Sequence, residues 1–219
     1  ASTGYSWSLN GSYTFPLGRF YLGNSKMDND LSLGYEFKRT NNFLTFARDL
    51  IYDRYIDISQ FVLKYEGRYQ SPRGPVILSG TVFMSPGNMT RYNHTADLQQ
   101  ERSSAQAQYF YGLAGLDSAL HLFYDCLWVL DFKFQLSSRH LMPSEQFPLG
   151  GSRTVRGYQE NAVISDQGLL VKNELRSMPL KFFPRKKKVN EMQALLFLDY
   201  GMSYDIDQNI MSKQAFVLA

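Results

Sequence analysis

Runs of strict two-residue alternation, about ten residues long, constrain this chain more than any other feature. From Trp128 to Ser137, Trp128, Leu130, Phe132, Phe134 and Leu136 fall on one face, and Asp131, Lys133, Gln135 and Ser137 on the other. A period of two is the signature of a strand, since successive side chains point to opposite sides. Tyr5 to Thr14 repeats it, with Tyr5, Trp7, Leu9, Gly11 and Tyr13 opposed by Ser6, Ser8, Asn10, Ser12 and Thr14. Strands of soluble proteins centre on about five or six residues. A tilted strand crossing a bilayer needs about nine to eleven. The faces opposite the apolar ones carry several charges per strand, which suits a wet interior and an apolar exterior. A soluble sandwich would also alternate, but its apolar faces must bury against each other.

Six further segments read as strands: Leu31–Lys38, Ile58–Gln70, Val76–Met84, Ser103–Leu116, Leu169–Arg176 and Ala194–Tyr204. Within Ser103–Leu116, Ala105, Ala107, Tyr109, Tyr111 and Leu113 share a face. Pro16-Leu17-Gly18 predicts a break, and the segment to Asp30 a polar connection. Loops are expected around Arg48-Asp49 and Asp53-Arg54, and over Ser85–Arg102; Ser71-Pro72-Arg73-Gly74 reads as a tight turn. Ala215–Ala219 begins a ninth strand-like run. The expected fold is all-β: an antiparallel transmembrane β-barrel, of which eight to nine strands lie in this chain, incomplete at both ends. Aromatic residues at 15% and a mean hydropathy of −0.32 agree with a barrel, which hides its hydrophobicity by alternation. No apolar run approaches the roughly 18 residues of a membrane helix.

Other function classes find little support. A net charge of +3 is too small to point to nucleic acid. Cys126 stands alone, so there is neither a disulfide framework nor a thiolate metal cluster. His94, His121 and His140 lack metal-ligand spacing and read as loop or surface residues. No Gly-x-Ser-x-Gly nucleophile motif appears. Arg185-Lys186-Lys187-Lys188, between two strands, reads as a solvated periplasmic turn. The start, Ala1-Ser2-Thr3-Gly4, carries no secretion signal of the basic-then-apolar kind, as expected of a chain whose signal was removed or that starts inside a longer protein.

The connection at 139–166 is about 28 residues long, far beyond the few that join ordinary strands. Loops of that length in β proteins are functional or disordered, and this one holds Gly150, Gly151, Val155, Arg156, Gly157, Tyr158 and Glu160. Residues 145–160, Glu-Gln-Phe-Pro-Leu-Gly-Gly-Ser-Arg-Thr-Val-Arg-Gly-Tyr-Gln-Glu, resemble the signature loop of two-partner secretion transporters. These are the hemolysin-activator type of outer-membrane protein, within the superfamily that includes the barrel-assembly insertase. The likeness continues through Gly168–Arg176, with Glu174, to Phe197-Leu198-Asp199-Tyr200-Gly201.

That resemblance implies a 16-stranded barrel preceded by two POTRA domains and a plug helix, absent from this chain. It implies a loop tucked into the lumen, with Arg156 paired to Asp199. Strand parity argues the same way. Ala194, Leu196, Leu198, Tyr200, Met202 and Tyr204 form the outer face, so Phe197, Asp199 and Gly201 face inward. A carboxylate on the lipid face would cost several kcal/mol near the bilayer centre. The implied function is export of a large hemolysin- or adhesin-type exoprotein through the bacterial outer membrane, by a non-enzymatic, monomeric pore. The alternative within the superfamily is a barrel-assembly insertase. The expected partners are the exoprotein and outer-membrane lipid; no nucleic acid, cofactor or metal is expected.

Overall fold

The computed structural model describes residues 2–22, 25–46, 49–181, 191–206 and 217–218. Its strands are β1 (Ser2–Leu22), β2 (Ser25–Phe46), β3 (Asp49–Ser71), β4 (Gly74–Pro86), β5 (Gln108–His121), β6 (Leu127–Ser137), β7 (Phe147–Leu149), β8 (Val163–Ser165), β9 (Gln167–Arg176), β10 (Leu180–Lys181), β11 (Glu191–Met192), β12 (Leu195–Tyr204) and β13 (Val217–Leu218). A short α-helix, α1 (Thr95–Leu98), lies between β4 and β5, and a 3-10 turn (Phe123–Asp125) between β5 and β6. Nine strands form a single sheet in the order β1-β2-β3-β4-β5-β6-β9-β12-β13, each antiparallel to its neighbours. Among the described residues β1 and β13 do not pair with each other, so this chain forms an open stretch of barrel wall.

The first three strands are 21, 22 and 23 residues long. At about 3.3 Å per residue, such strands reach roughly 70 Å, well beyond a hydrocarbon core of about 30 Å. They therefore project past the membrane. Two expectations are corrected here. Pro16-Leu17-Gly18 does not end β1; the register slips between Pro16 and Gly18, and Gly18 takes a φ of +95°. The break is a bulge, which bends a strand without terminating it. Nor is the region around Asp53-Arg54 a loop, since β2 runs to Phe46 and β3 starts at Asp49, with Arg54 opposite Asn42. Polar residues on both faces hid the alternation. Arg48 and Arg185–Lys188 lie outside the described residues.

The outer face is the apolar one. Leu9, Tyr13, Leu33, Leu63, Phe110, Leu196 and Leu198 are all exposed on it. Inside, Asp117 pairs in register with Asp131, Asp131 with Lys172, and Lys172 with Asp199, so one row of the inner face is charged. The expected strand Ser103–Leu116 starts only at Gln108, and its bulky odd-numbered residues point inward. Tyr109 and Tyr111 are buried there against Leu141.

Each of the three buried apolar clusters contains residues of the 138–166 loop. Met142 joins Ile56, Ile58, Leu98, Ala105 and Ala107; Leu141 joins Tyr109 and Tyr111; Phe147, Leu149 and Val155 join Leu170. The core therefore lies between a loop and the inner face of one sheet. A sandwich would place it between two sheets. The other long loop, 87–107, is also ordered. Asp57 accepts from Thr90 Oγ1 at 2.7 Å, and Asn93 Nδ2 donates to the Asp57 carbonyl at 2.9 Å.

Candidate functional site

The long loop carries its own hairpin. Phe147 pairs with Ser165 and Leu149 with Val163, which makes a stem for the tip at 150–162. At Gly150, Gly151 and Gly157, φ is +101°, +101° and +89°, a region that side chains rarely adopt, so the chain can double back sharply there. Glu160 braces the tip from within, its Oε1 accepting from the Ser152 backbone N–H at 3.1 Å and the Ser152 hydroxyl at 3.3 Å. Val155 is fully buried, while Tyr158 is 44% exposed and lies outside the packed cluster.

Folding of this tip delivers Arg156 to the inner wall. Its Nε donates to Asp199 Oδ2 at 2.6 Å and its Nη2 to Asp199 Oδ1 at 2.7 Å, a bidentate fork. The Arg156 backbone N–H adds a third bond to Oδ2 at 3.1 Å. Nη1 donates to Glu174 Oε2 at 2.8 Å, and the guanidinium lies 3.8 Å from the centre of the Phe197 ring. Asp199 is fully buried beneath it. Glu174 also accepts from Arg176, and Lys172 donates to the Arg153 carbonyl at 3.1 Å. The contacts come from two paired strands, where Glu174 lies opposite Phe197 and Lys172 opposite Asp199. Gly201 completes the seat. A Cβ there would lie 2.8 Å from Val155 Cγ2 and 3.0 Å from Leu149, so with Val155 in place a side chain at 201 would push the tip away. Removing one member of such a shielded pair costs about 3–5 kcal/mol, because the other is left buried and charged.

The fold and this wall-to-loop arrangement can be set beside known proteins. The sequence model of the haemolysin secretion/activation proteins ShlB/FhaC/HecB matches residues 10–218. The chain belongs to that family. It is a family of outer-membrane β-barrel transporters. Among solved structures, CdiB from Escherichia coli superposes with a TM-score of 0.74 at 18% sequence identity, over 99% of this chain and 38% of CdiB. That likeness shows a shared fold, and the chain spans 38% of CdiB's length. No curated protein matches the sequence.

In this family member a second cluster holds the neck of the loop, and sequence reasoning missed it. Arg102, from the 87–107 loop, binds both carboxylate oxygens of Asp166, with Nη2 to Oδ2 at 2.9 Å. It also donates to the Leu141 carbonyl at 2.6 Å and to Asp205 Oδ1 at 3.3 Å. Asp166 accepts in addition from the Leu141 N–H at 2.9 Å and Gln146 Nε2 at 3.1 Å, and its Oδ2 lies 2.8 Å from His140 Nδ1. His140 is thus a loop residue, as expected, but one buried within a polar cluster. Burial alone would raise the Asp166 carboxyl. The Arg102 bonds, the Leu141 N–H and the nearby charges outweigh that and hold it below the usual carboxylate range. Arg102 lies 64 residues from Asp166, and no spacing rule connects them. No group of metal-ligating side chains occurs among the described residues.

Proposed function

We propose that this chain is the C-terminal barrel portion of a two-partner secretion transporter, the whole being a 16-stranded barrel with POTRA domains and a plug helix ahead of it. In this reading the protein is a monomeric, non-enzymatic pore in outer-membrane lipid. It exports one large exoprotein of the hemolysin or adhesin type in unfolded form. No nucleotide is available in the periplasm, so folding of the exoprotein outside drives its movement.

The observation that carries the reading is the bidentate seat of Arg156 on fully buried Asp199. A loop that only shielded the pore would need no such fork. A bidentate pair fixes direction as well as distance, and so sets the loop tip at one depth on the wall. The tip then narrows the pore to a shape that an extended chain can thread.

The test is secretion by Arg156→Ala and Asp199→Ala. Both should leave barrel in the outer membrane at normal abundance and abolish release of the exoprotein. Full secretion by both variants would sink the reading. A general loss of other outer-membrane barrels would instead point to an insertase.

A further inference from the structure

We propose that Glu145 is a second positioning residue, which fastens the stem of the loop to a part of the wall separate from the Arg156 seat. The loop is then a crossbeam held at two stations, and the pore opens fully only when both let go. This rests on the pore reading above.

Among the described residues, the side-chain partners of Arg156 lie on β9 and β12. Glu145, on the incoming limb, turns to the other end of the sheet. Its side chain is 2% exposed. Oε1 accepts from Lys38 Nζ at 2.9 Å, on β2, and from the Ser144 hydroxyl at 2.9 Å. Oε2 accepts from Gln60 Nε2 at 3.0 Å, on β3, and from the Tyr111 hydroxyl at 2.6 Å, on β5. The Glu145 carbonyl takes a bond from Gln135 Nε2 at 3.0 Å, on β6. Four strands thus converge on one residue of the loop, and among the described residues these partners are distinct from those that bond Arg156. Lys38 is shared with Glu36 at 3.1 Å, and Gln60 with Glu36 and the Tyr109 hydroxyl.

The chemistry of this station suits reversible release better than permanent packing. Leu141 beside it shows that the same wall accepts an apolar anchor. A buried ionic network offers little net stability over such an anchor, but it is specific in direction. If the stem withdraws, the wall left behind presents Lys38, Glu36, Gln60, Tyr109, Tyr111 and Gln135, all able to bond water. An apolar seat would leave a dry patch in the pore. A cavity of about 510 Å³ already lies beside the station, lined by Lys38, Phe83, Tyr111, Lys133, Glu145 and Arg153 among others. Withdrawal of the loop would merge it with the channel.

The test is single-channel recording of the intact protein in planar bilayers, for Glu145→Gln, Arg156→Ala and the double variant. Heat-modifiable migration on gels certifies that each barrel is folded. Loss of the charged acceptor should raise the open probability of Glu145→Gln about tenfold, the scale of a single charge-assisted hydrogen bond, since the neutral amide keeps one acceptor oxygen. The double variant should open more than either single variant. If Glu145→Gln fails to fold, Glu145→Asp, which draws the charge back from Lys38, should raise opening by a smaller factor. An Arg156→Ala channel that opens beside a folded Glu145 variant with wild-type gating overturns the second station alone. Unchanged gating in both overturns the lumenal lock as well.

Discussion

Two arginine–aspartate clamps hold the same loop, and they do different work. Arg156 at the tip joins loop to wall, reaching Asp199 on β12 and Glu174 on β9. Arg102 at the neck joins loop to loop, tying the two ends of the 138–166 segment to each other through Leu141 and Asp166. Both aspartates are fully buried, and both arginines form a fork. The difference lies in what each would release. In the proposed reading, opening the tip clamp would free the interior of the pore, whereas opening the neck clamp would free only the rim. That reading gives buried ion pairs of similar geometry a gating role in one place and an architectural one in the other.

The same conservative change at each arginine sharpens that contrast. Arg156→Lys keeps the charge but loses the fork, the Glu174 bond and the planar contact with Phe197. It should reduce secretion by more than tenfold at unchanged barrel abundance. Arg102→Lys should leave secretion within a few-fold of wild type. Its signature should be faster proteolysis of the 87–107 and 138–166 loops on intact cells. Equal secretion defects in the two variants would erase the distinction.

Gly201→Val attacks the tip without touching a charge. The added side chain meets Val155 and Leu149, and overpacking of this kind costs about 1–3 kcal/mol. Secretion should fall by roughly tenfold, the equivalent of about 1.4 kcal/mol. Wild-type secretion by this variant would mean that the tip need not seat against β12.

The smallest effect concerns pH. Asp166 is held below the usual carboxylate range when folded, so its contribution is complete above the ordinary value of about 4 and is lost as pH falls through the lowered one. The protection of amides in residues 140–146, taken relative to their intrinsic exchange rates, should therefore fall between about pH 4 and more acid conditions. Asp166→Asn should exchange faster at neutral pH and lose most of that dependence. A dependence equal to wild type in Asp166→Asn would assign it to another group.

Legibility followed sequence distance and regularity. Alternation made β6 and β12 readable, because one face of each is apolar and the other polar. Parity also placed Asp199 on the face opposite Leu196 and Leu198, using only neighbours along one strand. The ends of β2 and β3 were hidden, since the sequence there mixes polar and charged residues into both alternating sets and shows no apolar period of two. Pro16 and Gly18 signalled a break that the partner strand turned into a bulge. The Arg102 cluster was not readable at all. Its members come from four separate segments, at Arg102, His140–Leu141, Asp166 and Asp205, and only the folded loops bring them together. The inward aromatic face of β5 was equally hidden, because a loop that fills the interior makes apolar residues welcome there.

The central claim is that the tip of the loop rests against β12 inside the barrel, and disulfide trapping tests it most directly. Val155→Cys with Gly201→Cys, in a Cys126→Ser background, replaces the two Val155 methyls by one sulfur and sets it against the position where an added Cβ at 201 lies 2.8 Å from Val155 Cγ2. The account predicts that this pair cross-links in intact outer membranes under mild oxidant, and that the cross-linked protein stops secreting until it is reduced. A folded barrel in which the pair stays reduced, or which secretes normally once cross-linked, would contradict it.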